Sequence, residues 1–228
     1  RSSKAARPFD LRKEIAMRQI GRDLHACLIG QTPVILNIAS ERYQLVRGPT
    51  RDHLTALLAT KPGPENIAAL VRAGLLDPAI MDAEGAAAPV APTCSHLDLI
   101  KFRHGWLLAP VALVALSIAV IQVRRDALRT ILDRVEVGAG RPRLKLPIFS
   151  EAMVAAAFYL LRQFLPLDNH CLARSIAISR MLRRFGHQAT LVIGVQLPIA
   201  AHCWVQCEDR LMADRVDRIT AFEPILAR

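Results

Sequence analysis

The sequence predicts an α+β protein built from two parts of unlike pattern. The N-terminal part has three short strand-like apolar runs followed by helical patterns, the order of a small winged-helix-like module with three strands and two to three helices. In the C-terminal part, helical patterns come first and β-branched strands come last. Because 52% of the 228 residues are hydrophobic, the chain can bury a sizeable core.

The N-terminal part divides into a basic segment and a small domain. Residues 1–20 are basic and are expected to be frayed or loosely helical. Three short strands bounded by turn residues follow at 24–29, 34–38 and 43–46. Helical spacing of apolar residues begins at Thr50 and again at Glu65, so residues 21–81 form the first predicted domain.

An uncharged run in the middle of the chain raises the question of a membrane span. It follows an Ala-, Gly- and Pro-rich stretch that predicts a linker over residues 82–95, and it extends for seventeen residues from Gly105 to Ile121. That length could barely cross a bilayer. Pro110 interrupts the run and the helical pattern continues to about Val135, which favours a buried core helix over a membrane span. A membrane-inserted protein is therefore the less favoured alternative.

The second predicted domain, residues 96–228, continues from helices to strands. An alanine-rich helix is expected from Ser150 to Phe164, and another begins near Cys171 and stops at Gly186. Three strands complete the domain, at 189–197, 200–207 and 211–216.

Cys171 lies in the first turn of the second of these helices. Asp168 or Asn169 is the expected N-cap residue. The unpaired backbone N–H groups and the helix dipole at this position stabilise a thiolate and lower the pKa of a cysteine. A backbone N–H of this turn could donate to an oxyanion, and Asn169, Gln163 and the Trp204 indole are further candidates. A lone cysteine at a helix start is more often a small packed residue, so the assignment needs partners.

His202 and Asp214 are the candidate partners of this cysteine. If residues 208–210 form the loop of the last hairpin, His202 lies opposite Val216 and Asp214 is its diagonal neighbour on the same face. A two-residue loop would place the carboxylate on the other face. Alone, each residue has a simpler explanation, as a core histidine or a solvated turn aspartate. Together, a helix-start Cys, a strand His and an Asp on the adjoining strand supply a nucleophile, a base and a group that orients the base.

Composition argues against several other classes of function. The net charge is +10, but the arginines are scattered and aromatic residues make up only 5% of the chain, a pattern that disfavours nucleic-acid binding. The five cysteines do not have the spacing of a disulfide scaffold and no apolar signal peptide is evident, so we expect a cytoplasmic location. Cys203 and Cys207 would lie roughly 13 Å apart on one strand and could not share one ion. No metal site and no cofactor are expected.

Two C-terminal blocks resemble a known family. CLARSIAISRMLRRFGHQATLVIGV (171–195) and AHCWVQCEDRLMAD (201–214) are similar to the lasso peptide biosynthesis B protein, a transglutaminase-like leader peptidase. The N-terminal block, with LHACLIG and VILNIASERYQL, resembles the PqqD-like leader-recognition domain that some B proteins carry. The chain departs from the family pattern at Cys203, where the family commonly has Ala, and at Glu208–Arg210, where it commonly has Asp-Gly.

The resemblance implies a fold and an activity for the C-terminal domain. The fold would be a transglutaminase/papain-like cysteine peptidase domain, with Cys171, His202 and Asp214 as its catalytic residues. The activity would be removal of the leader from a ribosomally synthesised precursor peptide. The freed core would then pass to an asparagine-synthetase-like lasso cyclase that closes the macrolactam ring.

The resemblance also assigns a role to the N-terminal domain. The leader would add a strand to the edge of the N-terminal sheet, near Tyr43, Leu45 and Val46. A non-catalytic leader-binding scaffold and a transglutaminase-type acyl transferase are the alternative functions.

Overall fold

The N-terminal strands form a four-stranded antiparallel sheet in the order β1-β2-β3-β4. The computed structural model describes residues 17–59, 62–81, 88–99, 105–139, 149–165 and 170–228. The strands are β1 (Arg18–Gly21), β2 (Leu24–Ile29), β3 (Thr32–Asn37) and β4 (Arg42–Leu45). The sequence predicted three of them, and β2 has the predicted bounds. The fourth strand, β1, begins within the predicted basic segment and has a single large apolar side chain, that of Ile20, so no alternating pattern marks it.

Three helices cover one face of this sheet. They are α1 (Pro49–Ala59), α2 (Pro64–Arg72) and α3 (Pro78–Met81). Leu54 and Leu57 of α1 and Leu70 of α2 are fully buried in a cluster that includes Ile20 and Ile35 of the sheet. This cluster forms a small core between the helices and the sheet of the N-terminal part.

The opposite face of the same sheet is buried against the C-terminal part of the chain. Cys27 of β2 and Val34 and Leu36 of β3 belong to the large core cluster that also contains residues of the C-terminal helices and strands. The N-terminal sheet is therefore a layer between its own helices and the C-terminal domain. The two predicted domains share one hydrophobic core.

The C-terminal part contributes four long helices. They are α5 (Gly105–Arg125), α6 (Leu128–Ala139), α7 (Glu151–Phe164) and α8 (Cys171–Arg184), and they follow a short α4 (His96–Leu99). The predicted helix through to Val135 is in fact two, because α5 ends at Arg125 and α6 starts anew at Leu128. The Glu41 carboxylate, from the turn between β3 and β4, accepts a hydrogen bond from the Leu128 N–H at 2.7 Å and caps the new helix.

The apolar helix α5 is buried on one side only. Leu108, Ala112, Leu116 and Ala119 form a buried stripe at helical spacing that packs into the large core. The outward side is apolar but exposed, with Trp106, for example, 64% accessible. The prediction of a buried core helix is correct for this stripe and wrong for the rest of the helix. Within the part of the chain that the structure describes, α5 is the one helix long and apolar enough to cross a membrane, judged by length and composition alone.

The second sheet is built around the strand that carries His202. Its order is β5-β8-β7-β6-β9, with β5 (Cys94–Ser95), β6 (Thr190–Gln196), β7 (Ala200–Cys207), β8 (Arg210–Leu211) and β9 (Glu223–Ala227). Strand β7 has the predicted bounds. Neither β5 nor β9 was predicted, since β5 has two residues and β9 contains a proline. The α+β class is confirmed.

The hairpin between β7 and β8 differs from the predicted one. Gln206 pairs with Leu211 and Cys207 with Arg210, so the loop has two residues rather than three. Glu208 adopts a left-handed conformation with φ +55°, which allows this tight turn. The predicted strand 211–216 is also wrong. Strand β8 ends at Leu211, and after a bend the chain forms a short helix, α9 (Val216–Ile219).

Gly194 gives a test of how tightly this sheet is packed. A Cβ atom at this position would lie 2.5 Å from Cζ3 of the buried Trp204 ring and 3.0 Å from Cβ of Phe222. We therefore expect Gly194→Ala to lower the free energy of unfolding by about 1–3 kcal/mol, the usual cost of overpacking a core. Chemical denaturation followed by circular dichroism measures this change.

Gly21→Ala is the matched control. Its Cβ would meet Leu24 at 3.4 Å, an ordinary van der Waals contact. An equal loss of stability in the two variants would contradict the packing argument.

Candidate active site

The N-terminal end of α8 lies against an open edge of β7. Strand β8 pairs with β7 at Gln206 and Cys207, and the Met212 N–H still donates to the Val205 carbonyl at 3.1 Å, so this edge of β7 lacks a strand neighbour at Cys203. The backbone N–H of Cys203 donates a hydrogen bond to the Cys171 sulfur. The hydroxyl of Ser175, one turn further along α8, donates to the Cys203 carbonyl at 2.9 Å. Two side chains of α8 thus bind the two polar backbone groups of one β7 residue, which fixes the Cys171 sulfur relative to the strand.

The Cys171 sulfur is hydrogen-bonded to the His202 imidazole. Burial disfavours the thiolate of this half-buried residue. Hydrogen bonds from His202 and the Cys203 N–H favour it, as do the positive charges of His202 and Arg174. These interactions outweigh burial, so the pKa of Cys171 is lowered. Burial also disfavours the charged imidazole, but hydrogen bonds to Asp214 and Cys171 raise the pKa of His202. A lowered pKa on the thiol and a raised pKa on the imidazole favour a thiolate–imidazolium pair.

Asp214 lies behind the imidazole, as the prediction requires, although the predicted hairpin register is wrong. Its Oδ1 atom is 3.2 Å from His202 Nε2, which leaves Nδ1 as the ring nitrogen available to the thiol. In a continuous strand the two-residue loop would have placed Asp214 on the other face. The chain instead leaves the sheet after Leu211, and the Ser95 hydroxyl donates to the Asp214 carbonyl at 2.6 Å and holds the bend in place.

Arg174 is a member of the site that the sequence analysis did not single out. Its Nη2 atom is 2.9 Å from Oδ1 and 3.0 Å from Oδ2 of Asp214, and its side chain is 3% exposed. It follows Cys171 by three residues, so helix geometry places both on the same side of α8. A cation one turn after a candidate nucleophile, on a helix side that is otherwise small and apolar, is the sequence signal that could have identified it.

The predicted oxyanion donors do not all reach the site. Asp168 and Asn169, the predicted N-cap candidates, lie outside the described residues, and the structure has His170 at the N-cap of α8 without a side-chain capping bond. Gln163 is exposed on α7. The Trp204 indole donates to the Gln206 side chain at 3.0 Å. The first intrahelical bond of α8 runs from the Arg174 N–H to the His170 carbonyl, so backbone N–H groups of the first turn are the donors that remain.

The predicted leader-binding residues lie on or next to β4, at one end of the N-terminal sheet. Tyr43 and Leu45 pack against the large core that the two parts of the chain share, whereas Val46 packs against the cluster under α1 and α2. Burial raises the pKa of Tyr43 above its usual range, and the charges of the nearby Cys203, Cys171 and Cys27 add to this effect. Tyr43 therefore lies within electrostatic range of the nucleophile.

The remaining cysteines differ from Cys171. Cys203 and Cys207 are buried in the large core, and burial raises the pKa of both thiols, that of Cys207 to about 12. Among the described residues, no group of three or more His, Cys, Asp or Glu side chains could hold a metal ion.

Comparison with known proteins identifies the C-terminal domain. Residues 112–227 match the family model of the transglutaminase-like superfamily. The match includes Cys171, His202 and Asp214 and begins within α5. No curated protein and no solved structure matches the chain.

The lowered pKa of Cys171 predicts selective alkylation. Only the thiolate attacks iodoacetamide, so Cys171 should be labelled at a lower pH than Cys27 and Cys207, whose pKa values burial raises to about 12. Peptide mass spectrometry after labelling across a pH series measures this order. In His202→Ala the labelling midpoint of Cys171 should move about 1–3 pH units higher, because a hydrogen bond and a positive charge are lost. Labelling of Cys171 only at the pH where Cys207 reacts would contradict the assignment.

Proposed function

The chain belongs to the transglutaminase-like superfamily, and we propose that it is a cysteine peptidase that removes the leader from a ribosomally synthesised lasso precursor peptide. The observation that carries the proposal is the hydrogen-bonded series of Cys171, His202 and Asp214. It supplies a nucleophile, a base and an orienting carboxylate in the arrangement that thioester chemistry needs. The similarity of residues 171–195 and 201–214 to the lasso B protein supports the choice of substrate.

The first half of the reaction is acylation. The Cys171 thiolate attacks the carbonyl at the leader–core junction, and the first-turn N–H groups of α8 stabilise the oxyanion that forms. The C–N bond then breaks as the imidazolium of His202 gives its proton to the leaving amine. The core peptide leaves with a free N-terminus, and the leader remains as a thioester on Cys171.

The second half is hydrolysis of the thioester. His202, now neutral, takes a proton from water, and the hydroxide attacks the thioester carbonyl. The leader leaves as a carboxylate and the Cys171 thiol is regenerated. Asp214 holds the imidazole in one orientation through both halves.

The proposed leader site is the open edge of β4. The Val46 N–H bonds the Pro33 carbonyl, and the register pairs Gln44 with Ile35, so the ladder bonds of β4 fall on alternate residues. The backbone N–H and C=O groups of Tyr43 and Leu45 therefore point away from β3 and are free to pair with an added strand. A leader bound along this edge would pass Tyr43 and bring the junction towards Cys171.

The proposed partners follow from the products. The freed core amine is the group that a macrolactam-forming cyclase of the asparagine-synthetase-like type needs. The precursor peptide and that cyclase are therefore the proposed partners, and the proposed location is the cytoplasm.

Cys171→Ala should abolish cleavage of a lasso precursor peptide from the same genome, and His202→Ala should lose about as much activity, because such residues act as a unit. Liquid chromatography with mass spectrometry measures the products, whose summed mass exceeds that of the precursor by one water. Cys94→Ala removes a partly exposed cysteine outside the triad and should cleave normally.

Other outcomes of this experiment identify the alternative functions. A product joined to an added amine, without gain of water, would indicate an acyl transferase. Binding of the precursor without any cleavage by the unmodified protein would indicate a scaffold. Cleavage by Cys171→Ala would overturn the proposed mechanism.

Leu45→Pro tests strand addition at β4. Proline removes the outward N–H of Leu45 without removing a ladder bond to β3, so affinity for a labelled leader peptide should fall about tenfold, the value of one backbone hydrogen bond. Fluorescence anisotropy measures the affinity. Leu45→Ala is the control, because it shortens the same partly buried side chain but keeps the N–H. Equal affinities of the two variants would show that the leader does not pair with this edge.

A further inference from the structure

Arg174 and His202 share one carboxylate. The Oδ1 atom of Asp214 is 2.9 Å from Arg174 Nη2 and 3.2 Å from His202 Nε2, while Oδ2 is 3.0 Å from the same Arg174 nitrogen. All three side chains are at most 4% exposed. Any movement of the carboxylate that breaks its bond to the guanidinium also displaces the acceptor of the imidazole.

We propose that Arg174 is a positioning residue of the active site, which fixes the Asp214 carboxylate behind His202 and balances its charge so that the Cys171–His202 pair keeps its reactive protonation state. This inference rests on the proposed function, because it assigns a role in the same thiol chemistry. Arg174 acts through Asp214 and needs no contact with the substrate.

The geometry of Arg174 does not suit a role in stability alone. Moving a guanidinium and a carboxylate out of water is expensive, and well-packed apolar residues often replace such a pair without loss of stability. In addition, the buried Nε atom of Arg174 has no hydrogen-bond partner among the described residues. A buried donor without a hydrogen-bond partner lowers the stability of the fold. Apolar side chains at the positions of Arg174 and Asp214 would not have this cost.

The charge balance explains what Arg174 contributes. The ionisable groups around the pair are Arg174 on α8, Tyr43 on β4, Cys203 on β7 and Asp214 after β8. Of these, Arg174 and Asp214 form an ion pair, and their charges cancel. Without Arg174 the carboxylate would leave the site one unit more negative, and both Cys171 and His202 would bind their protons more tightly.

The charge of Arg174 should therefore favour the Cys171 thiolate. Arg174→Gln removes a positive charge and should move the pH midpoint of Cys171 alkylation about one unit higher. Asp214→Asn removes the ion-pair partner of Arg174 and serves as the background for the double variant described below. Arg174→Lys keeps the charge and should leave the midpoint within a few tenths of a unit of the unmodified protein. The measurement is iodoacetamide labelling of the full chain across a pH series, with peptide mass spectrometry at Cys171.

The labelling needs no peptide substrate, so it separates this inference from the proposed function. If the unmodified chain cleaves no precursor but the midpoints move as stated, the peptidase proposal fails and the role of Arg174 stands. If it cleaves the precursor, Arg174→Gln should lower kcat/KM about tenfold or more, and both limbs of its pH profile should move to higher pH.

If Arg174→Gln does not fold, a second pair of variants tests the same inference. The double variant R174Q/D214N leaves no unpaired buried charge, and its midpoint should be higher than that of Asp214→Asn alone. A midpoint that does not move in folded Arg174→Gln, or equal midpoints in the double variant and Asp214→Asn, would overturn the inference. Arg174 would then be a structural residue only.

Discussion

The candidate active site depends on the docking of α8 against an unpaired edge of β7. Because β8 ends after two residues, the N–H and C=O of Cys203 have no strand partner, and α8 supplies replacements from Cys171 and Ser175. Cys203 follows His202 in sequence, so the bond that positions the sulfur also fixes it relative to the imidazole. A longer β8 would take up the same backbone groups and leave the helix nothing to bind. The site therefore requires that β8 be short, because α8 binds the backbone groups that β8 leaves unpaired.

The shared core connects the nucleophile to the N-terminal sheet. One face of that sheet packs under its own helices, and the other contributes Cys27, Val34 and Leu36 to the core on which α8 rests. Tyr43 of β4 consequently lies near Cys171. The N-terminal sheet and the helix that carries Cys171 therefore pack against the same core. Loss of this module would uncover apolar surface of the C-terminal domain, so the packing around α8 depends on the N-terminal sheet.

The sequence predicted the bounds of an element correctly where one short local pattern determines that element. Strands β2 and β7 have their predicted bounds, because each is a run of apolar residues closed by turn residues. Strand β5 was not predictable, because a two-residue strand exists only through its neighbour β8. The hairpin register depended on the left-handed conformation of Glu208, which its residue type does not favour. The His202–Asp214 contact formed with a different register because a bend after Leu211, held by Ser95, redirects the carboxylate. Arg174 was missed because its partner, Asp214, is forty residues away.

The burial of the site limits where selectivity between hydrolysis and acyl transfer can arise. His202 and Asp214 are each 4% exposed, whereas the Cys171 side chain is only half-buried. The sulfur is therefore the part of the site that a substrate can contact. The same three residues serve either reaction, since both pass through a thioester and differ only in whether water or an amine attacks it. That choice depends on which of the two reaches the thioester carbonyl. Tyr43 of the edge strand β4 lies within electrostatic range of the sulfur. In the proposed function the leader is both the strand bound to β4 and the acyl group on Cys171, so the N-terminal sheet would hold the thioester while water or an amine attacks it.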